Sequence, residues 1–129
     1  MAQYYFSRIV EVPLEDAVRR VTEELKKEGF GILTEIDMQA TLRKKLDVEI
    51  RPYKILGACN PPFAYQALQT EPNIGLMLPC NLVVQDVGNG KTEVAAINPI
   101  VAMSRVENPA LEPVAQEVAA RLQRVIECL

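Results

Sequence analysis

The sequence predicts an α+β fold, in which a five-stranded sheet carries two long helices on one face and two short inserted helices complete the domain. Patterns typical of strands and helices alternate along the chain in the order β-α-β-α-β-α-β-β-α. The first and the last helix are long, and each has a single apolar face, which suits both to the same side of a sheet. The chain has 129 residues, of which 49% are hydrophobic, so we expect one domain over residues 1–129.

The first strand and the first helix have the clearest signals. Residues 3–12 predict a strand because every second side chain along them is mostly apolar. Pro13 suits the first turn of the helix that follows, and Gly29 is a natural C-terminal stop. The apolar face of this helix repeats at helical spacing and consists of Leu14, Ala17, Val18, Val21 and Leu25.

A second strand and a short helix follow. Residues 30–37 predict the strand, and residues 38–46 predict the helix. Asp37 is expected to cap this helix, because a carboxylate at that position accepts a hydrogen bond from a free amide proton of the first turn. Leu42 and Leu46 are expected to face inward.

Prolines mark the boundaries in the middle of the chain. Residues 51–60 predict the third strand, which Pro61 ends. Residues 63–70 have helical spacing and predict the second short helix. Residues 76–87 predict the fourth strand, bent or interrupted at Pro79 because proline has no amide proton for the sheet.

A hairpin and a long helix complete the order of elements. Asn89-Gly90 predicts a tight turn, because both of these residue types accept positive φ readily. Residues 92–98 are the expected partner strand, whereas residues 99–107 have no pattern that assigns an element. The last helix is expected to begin near Asn108-Pro109, an N-cap followed by proline at the first helical position. Its apolar face consists of Leu111, Val114, Val118, Leu122, Val125 and Ile126.

Several of the strands are apolar on both of their faces. Leu82 and Val84 alternate with Val83, and Leu56 alternates with Ile55. Strands of this kind need cover on both sides of the sheet. The face without the long helices must therefore be covered by the two short helices or by another subunit, and we predict a homodimer.

Composition excludes several classes of function. A net charge of −3 and a pI near 5.0 argue against a nucleic-acid-binding protein. No apolar run approaches the roughly 20 residues that span a bilayer, and residues 1–6 lack the pattern of a secretory signal. Three cysteines make no disulfide framework, so we expect a soluble cytoplasmic protein with reduced thiols. The absence of histidine excludes acid–base, nucleophilic and metal chemistry that depends on it.

Two Cys-Asn pairs beside prolines are the main candidate site. Cys59 and Asn60 precede two prolines, and Cys80 and Asn81 follow one. Both pairs fall where a strand is expected to meet proline, so the two thiols and two amides could come together at one end of the sheet. There they could bind a small ligand or a soft metal, or take part in redox exchange.

The same four residues also fit a structural role. Free cysteine is among the most buried residue types and often acts as a small apolar side chain. The chain has no Cys-x-x-Cys motif, and two thiolates leave a tetrahedral zinc site short of ligands. We therefore predict no metal and no cofactor, and the asparagines would brace turns beside the prolines.

Glu35 and Asp37 are the second candidate pair. Because they are two residues apart, they share one face of a strand, where two carboxylates could divide acid and base roles or hold a hard cation. The alternative is a solvent-facing end of a strand, in which Asp37 only caps the following helix. Tyr53 and Tyr65 could line a pocket or lie at the edge of the core.

Three segments resemble those of domain-of-unknown-function family 302. They are residues 29–37 (GFGILTEID), 53–61 (YKILGACNP) and 75–81 (GLMLPCN), and the likeness extends over nearly the whole chain. The resemblance implies a curved, mainly antiparallel sheet with two long helices, related in architecture to TATA-binding-protein-like folds. It implies neither DNA binding nor any catalytic residue.

Two functions fit these observations. The first is a dimeric module that binds a small ligand or a partner near the Cys-Asn pairs. The alternative is a thiol-dependent enzyme or redox protein that uses Cys59 or Cys80, with Glu35 or Asp37 in support. A thiol nucleophile needs a neighbouring base or a lowered pKa, and no histidine is present to act as that base. The sequence therefore favours the binding module, with no nucleic-acid or membrane partner.

Overall fold

One antiparallel sheet organises the chain. A computed structural model describes residues 3–129, so only residues 1 and 2 of the stretch considered for a secretory signal lie outside the described residues. The strands pair in the order β1-β5-β4-β3-β2, and every neighbouring pair is antiparallel. The predicted α+β class with a five-stranded antiparallel sheet is confirmed, and the sheet stays open. The strands are β1 (Tyr5–Val10), β2 (Gly31–Asp37), β3 (Tyr53–Cys59), β4 (Cys80–Gly88) and β5 (Lys91–Ile97).

Helices connect the strands and end the chain. Two of them are long, and the others have ten residues or fewer. Short 3₁₀ segments span Pro72–Met77, Ser104–Val106 and Pro109–Leu111. The α-helices are α1 (Leu14–Lys27), α2 (Met38–Leu46), α3 (Pro61–Thr70), α4 (Pro99–Ala102) and α5 (Glu112–Glu127).

The main core lies between one face of the sheet and the two long helices. Side chains of α1 and α5 share one buried cluster with the inward side chains of β3, β4 and β5. Both long helices therefore cover the same face, as the sequence predicts. The fully enclosed members include Val21, Leu25, Leu56, Leu82, Val94 and Leu122.

Local sequence signals act where they are expected. Gly29 follows the end of α1 with a φ of +87°, a conformation that glycine adopts without a steric penalty. Asn89 and Gly90 have φ values of 56° and 72° and form the turn between β4 and β5. The carboxylate of Asp37 accepts a hydrogen bond of 2.9 Å from the amide of Ala40 and so caps α2.

Four details of the helices and strands differ from, or add to, what the sequence predicts. The fourth strand begins at Cys80, because the segment before it forms a 3₁₀ turn and Pro79, in a cis peptide bond with Leu78, donates no hydrogen bond. Residues 99–107, which the sequence left unassigned, form α4 and a 3₁₀ turn. Leu46 does not face inward but is 66% exposed. The last helix begins late, since a 3₁₀ turn precedes α5 and Pro113 lies in its first turn.

The second face of the sheet is only partly covered. No residue of α2 is buried, and α3 packs away from this face, in a second core at the end of the sheet. That second core is formed by Ala67, Ile74 and Leu111. The short helices therefore do not provide the expected cover, and the outward side chains of β3, β4 and β5 remain accessible.

Candidate functional site

The two strand cysteines lie together at one end of the sheet. Ala58 of β3 pairs with Cys80 of β4, which places Cys59 diagonally beside Cys80. Both cysteines line the same small cavity of about 30 Å³, and neither forms a disulfide. The rest of its wall is mostly apolar and includes Phe30, Phe63, Ala67, Leu78, Met103 and Val118. A cavity of this size and lining is a feature of core packing.

Burial makes the thiol of Cys80 a weak nucleophile. Cys80 as a whole is only 8% exposed to solvent. Desolvation, and then the nearby Cys59, raise the pKa of Cys80 to about 11. The thiol is therefore protonated at neutral pH, whereas a reactive cysteine needs an accessible thiolate.

The two asparagines have different surroundings. Asn60 is buried, and its Nδ2 donates a hydrogen bond of 3.1 Å to the carbonyl oxygen of Glu28. Nη1 of Arg121 donates to the same oxygen at 2.9 Å, so both side chains brace the end of α1. Asn81 pairs with Gly57 on the outward face of the sheet and is exposed there.

Glu35 and Asp37 are not neighbours of the thiols, since Glu35 pairs with Leu56 in the middle of β3. Asp37 pairs with Lys54, and the Nζ atom of Lys54 is 3.0 Å from Glu15 and 3.7 Å from Glu35. The hydrogen bond that Lys54 donates to Glu15, and then the charge of Glu35, raise the pKa of this lysine. Lys54 and Cys59 are at opposite ends of β3, roughly 16 Å apart at strand spacing. The register therefore does not bring either carboxylate next to the thiols, and a role for them in thiol chemistry stays a prediction.

A groove runs across the open face of the sheet. Its volume is about 540 Å³. The floor is formed by outward side chains of the three central strands, and one end of the groove reaches the Cys80-Asn81 segment. The segment before β4 and the short helix α4 form its walls. Its apolar lining includes Tyr53, Val83, Ala95, Ile97, Leu78 and Met103.

A chain of hydrogen bonds crosses the floor of the groove. Nε of Arg51 donates to Oε1 of Gln85 at 2.8 Å, and Nε2 of Gln85 donates to Oε1 of Glu93 at 3.0 Å. The guanidinium of Arg51 also lies 5.5 Å from the ring centre of Tyr53. The Gln85 amide is thus held from both sides, and it presents its N–H group to the carboxylate of Glu93.

Gly57 allows one wall of the groove to approach the sheet. A Cβ atom at this position would lie 2.7 Å from Cγ of Pro79 and would also overlap Oγ1 of Thr34. Real Cβ atoms do not approach carbon so closely. Glycine is therefore required here for Pro79 to rest on β3.

Sequence reasoning missed most of this groove. Gln85 and Glu93 belong to no motif, and they become neighbours only because β4 and β5 pair in this register. The one signal in the sequence was that the strands are apolar on both faces, which indicated that the second face of the sheet contacts another group. Of the two tyrosines proposed for a pocket, Tyr53 lines the groove, whereas Tyr65 is exposed on α3.

Within residues 3–129, no helix combines the length and the apolar character needed to cross a bilayer. Over the same range, cysteine, aspartate and glutamate side chains nowhere gather in a group of three or more that could hold a metal ion.

Comparison with known proteins identifies the family. A family model described as a domain of unknown function, DUF302, matches residues 6–129. The chain belongs to the DUF302 family. A crystal structure of an uncharacterized conserved protein DUF302 from Bacillus stearothermophilus is similar, with 30% sequence identity, a TM-score of 0.89 and coverage of 98% of each chain. Curated proteins give no match. The resemblance seen in the sequence is confirmed, while the likeness to TATA-binding-protein folds stays a prediction.

Proposed function

We propose that this DUF302 domain is a binding module that holds a small, largely apolar ligand in the groove on the open sheet face. One observation carries the proposal: the central strands present apolar side chains on a face that no helix covers, between two walls. The groove volume of about 540 Å³ falls in the usual range for small-molecule sites, about 300–1,000 Å³. Such sites combine an apolar lining with a few polar groups that orient the ligand.

Three polar side chains of the groove would orient a ligand. Asn81 offers an amide donor and acceptor at one end, and Gln85 and Glu93 lie on the floor. The second Cys-Asn motif therefore contributes to the proposed site through its asparagine. In the first motif, Asn60 is already occupied by the carbonyl of Glu28.

The thiol chemistry proposed as the alternative has less support. Cys80 is buried with a raised pKa, and the two carboxylates proposed to assist it stand opposite Leu56 and Lys54 of β3, not beside Cys59. A packing role explains Cys59 and Cys80 without any reaction. A reducing, cytoplasmic location remains part of the proposal, supported by three cysteines that form no disulfide.

A homodimer also remains part of the proposal, and an edge of the sheet supports it. The edge strand β2 exposes Leu33 and Ile36, and an uncovered edge with apolar side chains is a ready surface for pairing with another strand. Joining two copies through β2 would leave the groove accessible. Sedimentation at micromolar concentration should show a species near twice the 14.4 kDa chain mass; a monomer throughout that range would remove this part.

Blocking the groove tests the binding proposal. The probe is 2-naphthylmethanol, and the readout is the shift of the Val83 and Ile97 methyl signals in NMR spectra. The wild type should show saturable shifts, and Ala95→Phe should abolish them because the ring fills the floor. The matched control Ala40→Phe adds the same ring on exposed α2 and should bind as the wild type does. Equal binding by both variants, or no shift in the wild type, would contradict the proposal.

A further inference from the structure

We propose that the ligand of this groove carries a cationic nitrogen, which is bound by the carboxylate of Glu93; this inference rests on the binding function proposed above. Glu93 lies on the outward face of β5, between Gln85 on β4 and Ile9 on β1. It is half-buried and lines the groove. A carboxylate in mostly apolar surroundings is stabilised chiefly by a partner that donates hydrogen bonds or carries positive charge.

The described part of the chain provides a hydrogen-bond donor to only one of the two oxygens of the Glu93 carboxylate. Oε1 accepts the hydrogen bond from Gln85. Among residues 3–129, Glu93 forms no ion pair, whereas Glu35, Glu28 and Glu117 each do. The hydrogen bonds of the same range include none to Oε2 of Glu93. One oxygen is therefore left for a donor that enters the groove.

Arg51 is the positive charge that belongs to this network, but it does not neutralise Glu93 directly. Its guanidinium binds the far side of the Gln85 amide and lies over the ring of Tyr53, outside the residues that line the groove. Its role is to fix the orientation of the amide. Because Oε1 of Gln85 accepts from Arg51, the amide can only donate toward Glu93, which confirms the carboxylate as the acceptor of the site.

A cation fits this position better than a neutral donor. A cation adds direct Coulomb attraction to the carboxylate, which a neutral donor lacks, and this attraction is stronger where water is partly excluded. The net charge of −3 would also favour the approach of a cation and oppose that of an anion.

Three probes that differ only in charge test the inference. They are 2-naphthylmethylamine, which is cationic at neutral pH, the neutral 2-naphthylmethanol, and the anionic 2-naphthoate. Their dissociation constants are measured from the Val83 and Ile97 methyl shifts. The wild type should bind the amine about three to ten times more tightly than the alcohol, and the naphthoate most weakly. Raising the salt concentration should reduce the preference for the amine.

Two matched variants assign that preference to one residue. Glu93→Gln keeps the shape of the side chain and should lower the affinity for the amine to that for the alcohol, with the alcohol unchanged. Glu23→Gln makes the same change in net charge at an exposed position of α1 and should keep the preference. A preference that survives Glu93→Gln, or equal binding of amine and alcohol by the wild type, would overturn the inference while leaving the groove as a site. If none of the three probes shifts the methyl signals, the proposed binding function fails as well.

Discussion

The two faces of the sheet use the same strands in different ways. On the helix-covered face, Leu82 and Val94 are fully enclosed by α1 and α5. On the open face, Val83 and Ala95, their neighbours in sequence, are half-buried and form the floor of the groove. Because side chains alternate along a strand, a residue that stabilises the core is followed directly by one that lines the groove. Substitutions at adjacent positions should therefore affect different properties of the protein.

The largest effect is expected on the covered face. Leu122→Ala should lower the free energy of unfolding by about 2–5 kcal/mol, because Leu122 of α5 is fully buried in the core shared with α1 and the sheet, and its loss leaves a cavity. Urea unfolding measures the change. The control Leu46→Ala removes the same atoms from the exposed end of α2 and should change stability by less than about 0.5 kcal/mol. Similar costs for the two variants would contradict the assignment of the core.

Alkaline pH should weaken the covered face through Cys80. The pKa of this thiol rises from the ordinary 9.0 to about 11 in the folded protein. Between these values the unfolded chain releases the proton and the folded chain keeps it, so stability falls as the pH rises. The loss should reach about 2–3 kcal/mol near pH 11.

The contribution of Cys80 is isolated by the difference between two unfolding profiles. Urea unfolding of the wild type and of Cys80→Ala is compared from about pH 8 upward, since other groups titrate equally in both. Their difference should shrink as the pH rises. Cys128→Ser, which changes an exposed thiol, should follow the wild type. A constant difference across this range would show that the thiol is not desolvated.

A smaller loss is expected where the open face meets the wall of the groove. Gly57→Ala should cost about 1–3 kcal/mol, because its Cβ atom would overlap Pro79 and Thr34. It should also weaken binding of 2-naphthylmethanol, since Pro79 must move. Gly31→Ala places a Cβ atom in open space on β2 and should be neutral or stabilise by up to about 1 kcal/mol. Equal effects of the two substitutions would argue against the close approach of Pro79.

The smallest effect on stability is expected from Glu93→Gln. Glu93 is on the open face and half-buried, and glutamine can still accept the hydrogen bond from Gln85. The free energy of unfolding should change by less than about 0.5 kcal/mol, although the preference for the amine disappears. A loss of several kcal/mol in urea unfolding would mean that this carboxylate serves the fold, and the contrast between the faces would fail.

Most of the fold could be predicted because its signals are local. Asp37 caps α2, Gly29 ends α1, and Asn89-Gly90 turns the hairpin, each through the conformation of one or two residues. Helical spacing alone was enough to place α1 and α5 on one face. The four residues of α4 are too few to show a period, so its start is marked just by Asn98, which accepts a hydrogen bond from the amide of Ile100, and by Pro99 at the first helical position.

The site was harder to predict because it depends on parity and register. The two Cys-Asn pairs look alike in sequence, yet Asn60 lies buried beneath the end of α1 and Asn81 faces the groove. Because β4 begins at Cys80, Cys80 faces the core and Asn81 faces the open side of the sheet. Pro79 obscured this starting point in the sequence. Gln85 and Glu93 are eight residues apart and meet only across the hairpin. No pattern along the chain could reveal that contact.

The hairpin turn limits how this surface can change in evolution. Because Asn89-Gly90 joins β4 to β5 directly, the length of the turn sets which residue of β5 stands opposite Gln85. Inserting or deleting one residue there would turn Glu93 toward the helices and bring Val94 into the groove. Substitutions of side chains on the open face leave the pairing of β4 with β5 unchanged. Related proteins should therefore acquire new ligands by substitution of groove residues, while the number of residues in this turn stays the same.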